Sequence, residues 1–195
     1  AFELGVPSRE GLIRNRYSGR TFIESGNSRR NKAKAKYTPL PEVLADKRIF
    51  LVEDSIVRST TMKALLGRIR EIGQVREIHV RVACPPIIAP CFYGIDMSTI
   101  DELFATSFHT NGTLSQQTQR EMADALGADS LLYLPVPAIA RAIGYDRSEL
   151  CQACITGDYP TEFGQRLFKI AVEQAGQPTT GQRTYDTDSL AGSSR

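Results

Sequence analysis

Glu53 and Asp54 stand side by side after the apolar run Ile49-Phe50-Leu51-Val52, and the hydroxyl side chains of Ser55, Ser59, Thr60 and Thr61 follow at once. Adjacent carboxylates repel a phosphate, so they must face something else. A ribose diol, whose hydroxyls donate to carboxylates, or a Mg²⁺ ion that neutralises them fits that need. Serine and threonine add hydrogen-bond donors without charge, and a helix start offers free N–H groups and a favourable dipole to a phosphate. The pattern describes a ligand with two ends, such as a phosphorylated sugar. The plainer alternative is that Asp54 or Ser59 only caps a helix, as these residue types do routinely. Capping needs one such residue, not six.

The second chemical signal is Cys151-x-x-Cys154, with Cys84 and Cys91 upstream. Paired thiolates at that spacing hold zinc or an iron–sulfur cluster, do redox chemistry, or are two buried thiols at a helix start. The histidines are His79 and His109. His79 is out of phase with the apolar face of its strand, which argues against a His-containing zinc site and for a surface or second-layer position.

Positioning these residues requires a framework. Ile49 to Val52 reads as a strand covered on both faces in a parallel sheet. Met62, Leu65, Leu66, Ile69 and Ile72 share one helical face, with Gly73 as the stop, and Ile78 to Ala83 reads as the next strand. This is a βαβ unit with a right-handed crossover, and its ligand belongs beyond the carboxyl end of the first strand. Pro85, Pro86 and Pro90 make the following stretch a stiff non-helical loop. A helix over about 115–126 ends at Gly127, Leu131 to Leu134 is a further strand, and Pro137 to Ile143 is a short helix stopped by Gly144. From about Gln174 to residue 195 the chain has almost nothing to bury and reads as disordered. Residues 24–41 are polar and basic, with Lys32, Lys34 and Lys36 on one face of an extended segment, a mobile surface stretch or lid.

With these elements in place, Val52 to Thr61 resembles the phosphoribosyl-pyrophosphate (PRPP) loop of type I phosphoribosyltransferases. The wording Asp54-Ser55-Ile56-Val57-Arg58 is similar to that of the glutamine PRPP amidotransferase family. So are Arg14-Asn15-Arg16-Tyr17 with Gly19 to Ile23, Pro90-Cys91-Phe92-Tyr93-Gly94-Ile95-Asp96, and Cys151 to Thr161. The resemblance implies an α/β type I phosphoribosyltransferase fold over 1–174, a mostly parallel sheet flanked by helices plus a C-terminal helical region. It implies transfer of ammonia to PRPP, giving 5-phosphoribosylamine and pyrophosphate in purine synthesis.

By the same resemblance Glu53 and Asp54 are the catalytic carboxylates and the Mg²⁺ ligands. Glu53, Asp54, Ser55, Ile56, Val57, Arg58, Ser59, Thr60 and Thr61 bind PRPP, with Arg14 and Arg16 closing over the pyrophosphate. Cys91, Cys151 and Cys154 are ligands of a [4Fe-4S] cluster whose fourth ligand lies upstream of Ala1, and Cys84 is a strand-end thiol outside the set. An N-terminal glutaminase that frees ammonia from glutamine is expected ahead of this chain, with purine nucleotides as feedback inhibitors and a homo-oligomer as the assembly. The chain departs from the family pattern at Glu53, usually Asp; at Ser59, usually Gly; and at Arg14, often Lys.

Composition bounds the rest. The 195 residues suffice for one ordinary core. Lys plus Arg is 24 against 22 for Asp plus Glu, so net charge does not point to a nucleic-acid or membrane partner. A rival reading, a non-catalytic PRPP-binding regulator that contacts DNA, has only the short lysine run in its favour and no helix for a groove. No apolar run reaches the roughly 18 residues that span a bilayer, and a signal-peptide pattern is missing from the first residues. The sequence reads as cytosolic.

Overall fold

The computed structural model describes residues 1–15, 37–95, 97, 99–108 and 114–176. Strands β1 (Leu12–Arg14) and β2 (Tyr37–Pro39) lead to a short helix α1 (Pro41–Leu44), strand β3 (Arg48–Glu53), helix α2 (Ser59–Glu71) and strand β4 (Glu77–Val82). Helix α3 (Gln116–Leu126), strand β5 (Ser130–Tyr133), and helices α4 (Val136–Ile143), α5 (Ala153–Thr156) and α6 (Glu162–Gln174) complete the order. The chain divides into two compact units. One comprises Ala1–Val52, Ser59–Arg81 and Arg120–Leu131, and the other Glu53–Arg58, Val82–Gln119 and Leu132–Arg195.

The sheet order β3-β4-β5 is parallel, as its edge bonds show. The Arg76 and Glu77 N–H groups both donate to the Lys47 carbonyl, while at the other end Ala83 N–H donates to the Glu53 carbonyl. Start meets start and end meets end. The same holds for β4 and β5, where Asp129 N–H reaches the Ile78 carbonyl and Leu134 N–H the Val82 carbonyl. The strand, helix, strand order expected from the periodicity is therefore present: the strand boundaries agree to within one residue, and the helix begins at Ser59, three residues before Met62.

Within the first unit, Met62, Leu65, Leu66 and Ile69 of α2 are buried, as are Ile78 and Val80 of β4. These are the residues that helical and strand periodicity put on one face. Strand β3 differs from expectation. Phe50 and Val52 are 52% and 70% exposed, so among the described residues the strand is covered on one face and not on both. The continuous apolar run conceals a period of two: Ile49 and Leu51 turn inward, while Phe50 faces the Arg81 guanidinium, 5.1 Å from its ring centroid, and the His79 ring at 5.8 Å. His79 accordingly sits on the outer layer, bonded to Ser130 and Glu77.

Strands β1 and β2 pair antiparallel, Arg14 opposite Tyr37. The expected lid, 24–41, falls mostly outside the described residues, as do its lysines; of its described part, Tyr37–Pro39 is strand and Pro41 opens α1. Helix α4 ends at Gly144 with φ of 74°, the left-handed turn that glycine adopts without cost. The tail beyond residue 176 lies outside the described residues.

Asp129 ties α2 to the sheet. Its Oδ2 accepts from Ile78 N–H at 2.6 Å and from Arg70 Nη2 at 2.7 Å. Partial burial opposes ionisation of Asp129, but the Ile78 hydrogen bond and the Arg70 guanidinium outweigh it and hold the carboxyl below its usual range. A carboxyl depressed on folding contributes stability above its unfolded pKa and loses that contribution as pH falls through the folded value. Asp129→Asn is expected to flatten the acid limb of stability below about pH 4, as read by urea unfolding at stepped pH.

Candidate functional site: the acidic loop and the cysteine segments

Glu53 closes β3 and the chain turns through Asp54 to Arg58 before α2 begins at Ser59. The second unit holds the middle of this loop firmly. Ile56 is 3% exposed, and Val57 packs against the buried cluster of Ile87, Leu103 and Ile155. The Val57 carbonyl accepts from Phe104 N–H at 2.9 Å, and Arg58 Nη2 pairs with Glu102 Oε2 at 2.6 Å. Apolar side chains, a backbone bond and an ion pair thus fix the loop from its inner side, leaving Asp54 exposed on the outer one. Ser55 Oγ donates to Asp54 Oδ1 at 3.0 Å, which sets the carboxylate's orientation.

Each residue expected at the site can now be placed. Glu53 to Arg58 form one anchored turn, and Ser59, Thr60 and Thr61 form the first turn of α2, with both threonines exposed. That turn carries no acidic side chain, so nothing of like charge in it opposes an anion at the helix dipole. Ile56 and Val57 are anchors through side chains, and their contribution to a ligand would come from backbone. Arg58 is turned to Glu102 and its Nε is buried without a protein partner. Arg14 is an exposed β1 residue, and Arg16 lies outside the described residues. Glu102, which engages Arg58, carried no local sequence signal: its partner is 44 positions away.

Cys84 follows β4 and is half-buried beside the same turn, because the Ala83–Glu53 bond sets the following residues, Cys84 and Asp54, next to each other. Burial chiefly, and the Asp54 charge second, push its thiol pKa up.

The other three cysteines come together through backbone. The Cys154 carbonyl accepts from Ile88 N–H and Ala89 N–H at 2.9 and 3.0 Å, which brings the segment before Cys91 against α5. The Tyr159 hydroxyl donates to the Pro90 carbonyl. Tyr93 Oη and Thr161 Oγ1 share a bond of 2.9 Å, and Phe92 and Phe168 pack on Tyr159 with ring centroids 5.1 and 5.2 Å away. A Cβ on Gly164 would lie 2.1 Å from Tyr93 Oη, so only glycine lets α6 approach this closely. Removing the Tyr159 hydroxyl leaves a carbonyl without its partner; Tyr159→Phe is expected to cost about 1–2 kcal/mol of unfolding free energy, measured by urea titration.

The thiols feel one another. The Cys154 pKa is pushed up to about 11, first by burial, then by Cys84, Cys91 and Cys151. Such a thiol stays protonated near neutral pH, and a metal that bound its sulfur would displace the proton to solvent, since ligation requires the thiolate. Among the described residues no three His, Cys, Asp or Glu side chains are grouped to hold a single ion. Cys84, Cys91 and Cys151 are all near enough to act on the Cys154 thiol, and Cys84 packs with Cys154 against one buried cluster. At the acidic loop, Mg²⁺ bound through one or two carboxylates plus substrate phosphates needs no trio of side chains, and the oxygen donors of Glu53 and Asp54 suit it.

No protein-family model matches the chain. It is 47% identical over 161 residues to an amidophosphoribosyltransferase of Methanocaldococcus jannaschii, covering 82% of this chain and 32% of that protein. A Bacillus subtilis amidophosphoribosyltransferase is 42% identical over 176 residues, or 88% of this chain and 35% of the relative. Among solved structures, B. subtilis glutamine PRPP amidotransferase complexed with ADP and GMP superposes with a TM-score of 0.64 at 42% identity, covering 82% of this chain and 34% of that one. A second, described as the allosteric regulatory enzyme of purine biosynthesis, gives 0.64 at 42% identity over 81% of this chain and 33% of its own.

Parallel α/β sheet, acidic strand end and hydroxyl-rich helix start together define a type I phosphoribosyltransferase chain. Within that class it belongs to the amidophosphoribosyltransferase family, and it spans about a third of the length of the relatives it matches.

Proposed function

We propose that the chain is the phosphoribosyltransferase part of an amidophosphoribosyltransferase, binding PRPP at the turn from Glu53 to Thr61 and passing its ribosyl carbon to ammonia, with release of pyrophosphate. The observation that carries this reading is the anchored acidic turn at the end of β3, in a chain 47% identical to an amidophosphoribosyltransferase. The exposed Asp54 and the neighbouring Glu53 hold the ribose hydroxyls and offset positive charge that develops on the ribose ring. The start of α2 and its hydroxyls take the 5-phosphate. No side-chain nucleophile is required: orientation and electrostatics carry the step. Bound Mg²⁺ would neutralise the pyrophosphate leaving group from the side of the two carboxylates.

Cys91, Cys151 and Cys154 would hold an iron–sulfur cluster, with a fourth ligand from elsewhere in the intact protein; its role would be to fasten the Cys91 segment to α5. In the intact protein, ammonia would come from glutamine, purine nucleotides would regulate, and the assembly would be a homo-oligomer. A cytoplasmic location fits these substrates; no helix among the described residues is long and apolar enough to cross a membrane.

The test is direct. Intact protein supplied with PRPP, an ammonium salt and Mg²⁺ is expected to release pyrophosphate with saturable dependence on PRPP. Binding of PRPP without any pyrophosphate release would replace this reading with that of a PRPP-responsive regulator.

A further inference from the structure

Arg58 is the basic side chain of the turn from Glu53 to Thr61 and the natural candidate to meet a phosphate, yet its donors are committed elsewhere. Nη2 pairs with Glu102 Oε2 at 2.6 Å, and Nε is buried without a partner. The side-on grip of Nε and Nη that arginine offers a phosphate is therefore closed. Glu102 in turn sits on a fixed platform. It ends the 3₁₀ turn Ile100–Glu102, and its successor Leu103 is 1% exposed. Thr106 Oγ1 lies 2.9 Å from the Ile100 carbonyl and 2.7 Å from that of Leu103, donating between them. Both carboxylate oxygens of Asp101 accept from Gly176 N–H, at 3.2 and 3.0 Å, just beyond α6. The same platform donates from Phe104 N–H to the Val57 carbonyl. Val57 and Arg58 are thus tied to one rigid segment, the first by backbone and the second by charge.

We propose that Glu102 is a positioning residue of the PRPP site: through Arg58 it holds the turn in the shape that receives the 5-phosphate, and Arg58 acts by this tie rather than by touching the phosphate. The inference rests on the PRPP reading given above. An ion pair partly open to water adds little to global stability, so the effect of this one is local. A loop already fixed in its binding shape is spared the ordering that a loose loop undergoes when ligand arrives. The phosphate is then met by the N–H groups and hydroxyls at the start of α2. Loss of the tie weakens every ligand that bears the 5-phosphate and leaves alone the bond-breaking step, which the carboxylates Glu53 and Asp54 serve.

The experiment uses the intact protein. KM for PRPP and kcat are measured by pyrophosphate release in wild type, Glu102→Gln, Arg58→Met and the double variant, with ribose 5-phosphate as a competing ligand and a melting temperature for each. Expected is a KM about tenfold higher in E102Q with kcat changed by less than about twofold, the pattern of binding lost equally from ground and transition states. Inhibition by ribose 5-phosphate should weaken by the same factor. R58M should match E102Q, and the double variant should be no worse than either, because the two side chains act as one unit. Glu102→Asp, which keeps the charge, should recover most of the loss.

Wild type without PRPP-dependent release of pyrophosphate overturns the PRPP reading and this inference with it. Active wild type with an unchanged KM in E102Q overturns the inference alone, and an E102Q that melts earlier while KM stays put identifies a purely structural pair. An R58M KM far above that of E102Q places Arg58 on the phosphate itself and also overturns it. Should E102Q fail to fold, R58M carries the same measurement, and a wild-type KM there is equally fatal.

Discussion

Asp54→Asn is expected to lower kcat for pyrophosphate release by about 10²–10³-fold, the range found when one preorganised electrostatic group is removed from a developing charge. The argument runs from the loop's construction. Ile56 is buried, Val57 is pinned through its carbonyl to Phe104, and Arg58 is paired with Glu102, so the turn keeps its shape when an exposed side chain on its outer side changes. Asparagine accepts the Ser55 hydroxyl as aspartate does but carries no charge. Folding should be unaffected, with the melting temperature within a degree or two of wild type, while the rate falls. Glu53→Gln is expected to behave alike, and Glu53→Asp, which keeps charge and shortens reach, should retain activity within about tenfold of wild type. A loss in E53D as deep as in E53Q would mean that the longer glutamate is part of a site shaped for it. Steady-state rates at saturating PRPP and Mg²⁺, with circular dichroism on each variant, decide the matter; activity unchanged in both D54N and E53Q would remove the carboxylates from the mechanism.

The frame that presents this turn was readable because each part of it is local. A period of 3.6 marks α2 through Met62, Leu65, Leu66 and Ile69, and glycine marks the end of α4. What escaped is non-local. The Arg58–Glu102 pair and the Phe104–Val57 bond join residues more than forty positions apart, and no window of sequence contains both members. Phe50 and Val52 were misjudged for a related reason: a run of four apolar residues looks the same whether one face or both are covered, and only the neighbours decide. Cys91 and Cys151 to Cys154 could be named from their resemblance to a family, but the clamp that unites them, Tyr159 on Pro90 and the Cys154 carbonyl on residues 88 and 89, rests on backbone groups that every residue type carries. The burial of Gln152 gave no signal at all, because a polar residue between two cysteines looks exposed until its surroundings are known.

Cys154→Ser is expected to abolish cluster assembly in the intact protein and to loosen the segments it joins. The serine hydroxyl is a poor iron ligand, whereas the main chain at 154 is untouched, so the bonds from Ile88 and Ala89 to its carbonyl remain available. Any loss therefore reports on the thiol. Iron and sulfide should fall to background. Because metal binding energy is folding energy where a site forms only in the folded chain, limited proteolysis should begin to cut between residues 84 and 91 and around 146–161. Stripping iron from wild type with a chelator under oxidising conditions should reproduce the same cuts. Cys84→Ser supplies the contrast. Its thiol lies by the Asp54 turn, where the Ala83–Glu53 bond puts it, and packs with Cys154 against the same buried cluster, but the proposed ligand set leaves it out, so on that proposal its iron content should match wild type. If C84S loses iron while C154S keeps it, the ligand set is wrong and Cys84 is the metal-binding thiol. If neither loses iron, the clamp around Tyr159 holds these segments without help from metal, and the raised Cys154 pKa reflects burial of an inert thiol.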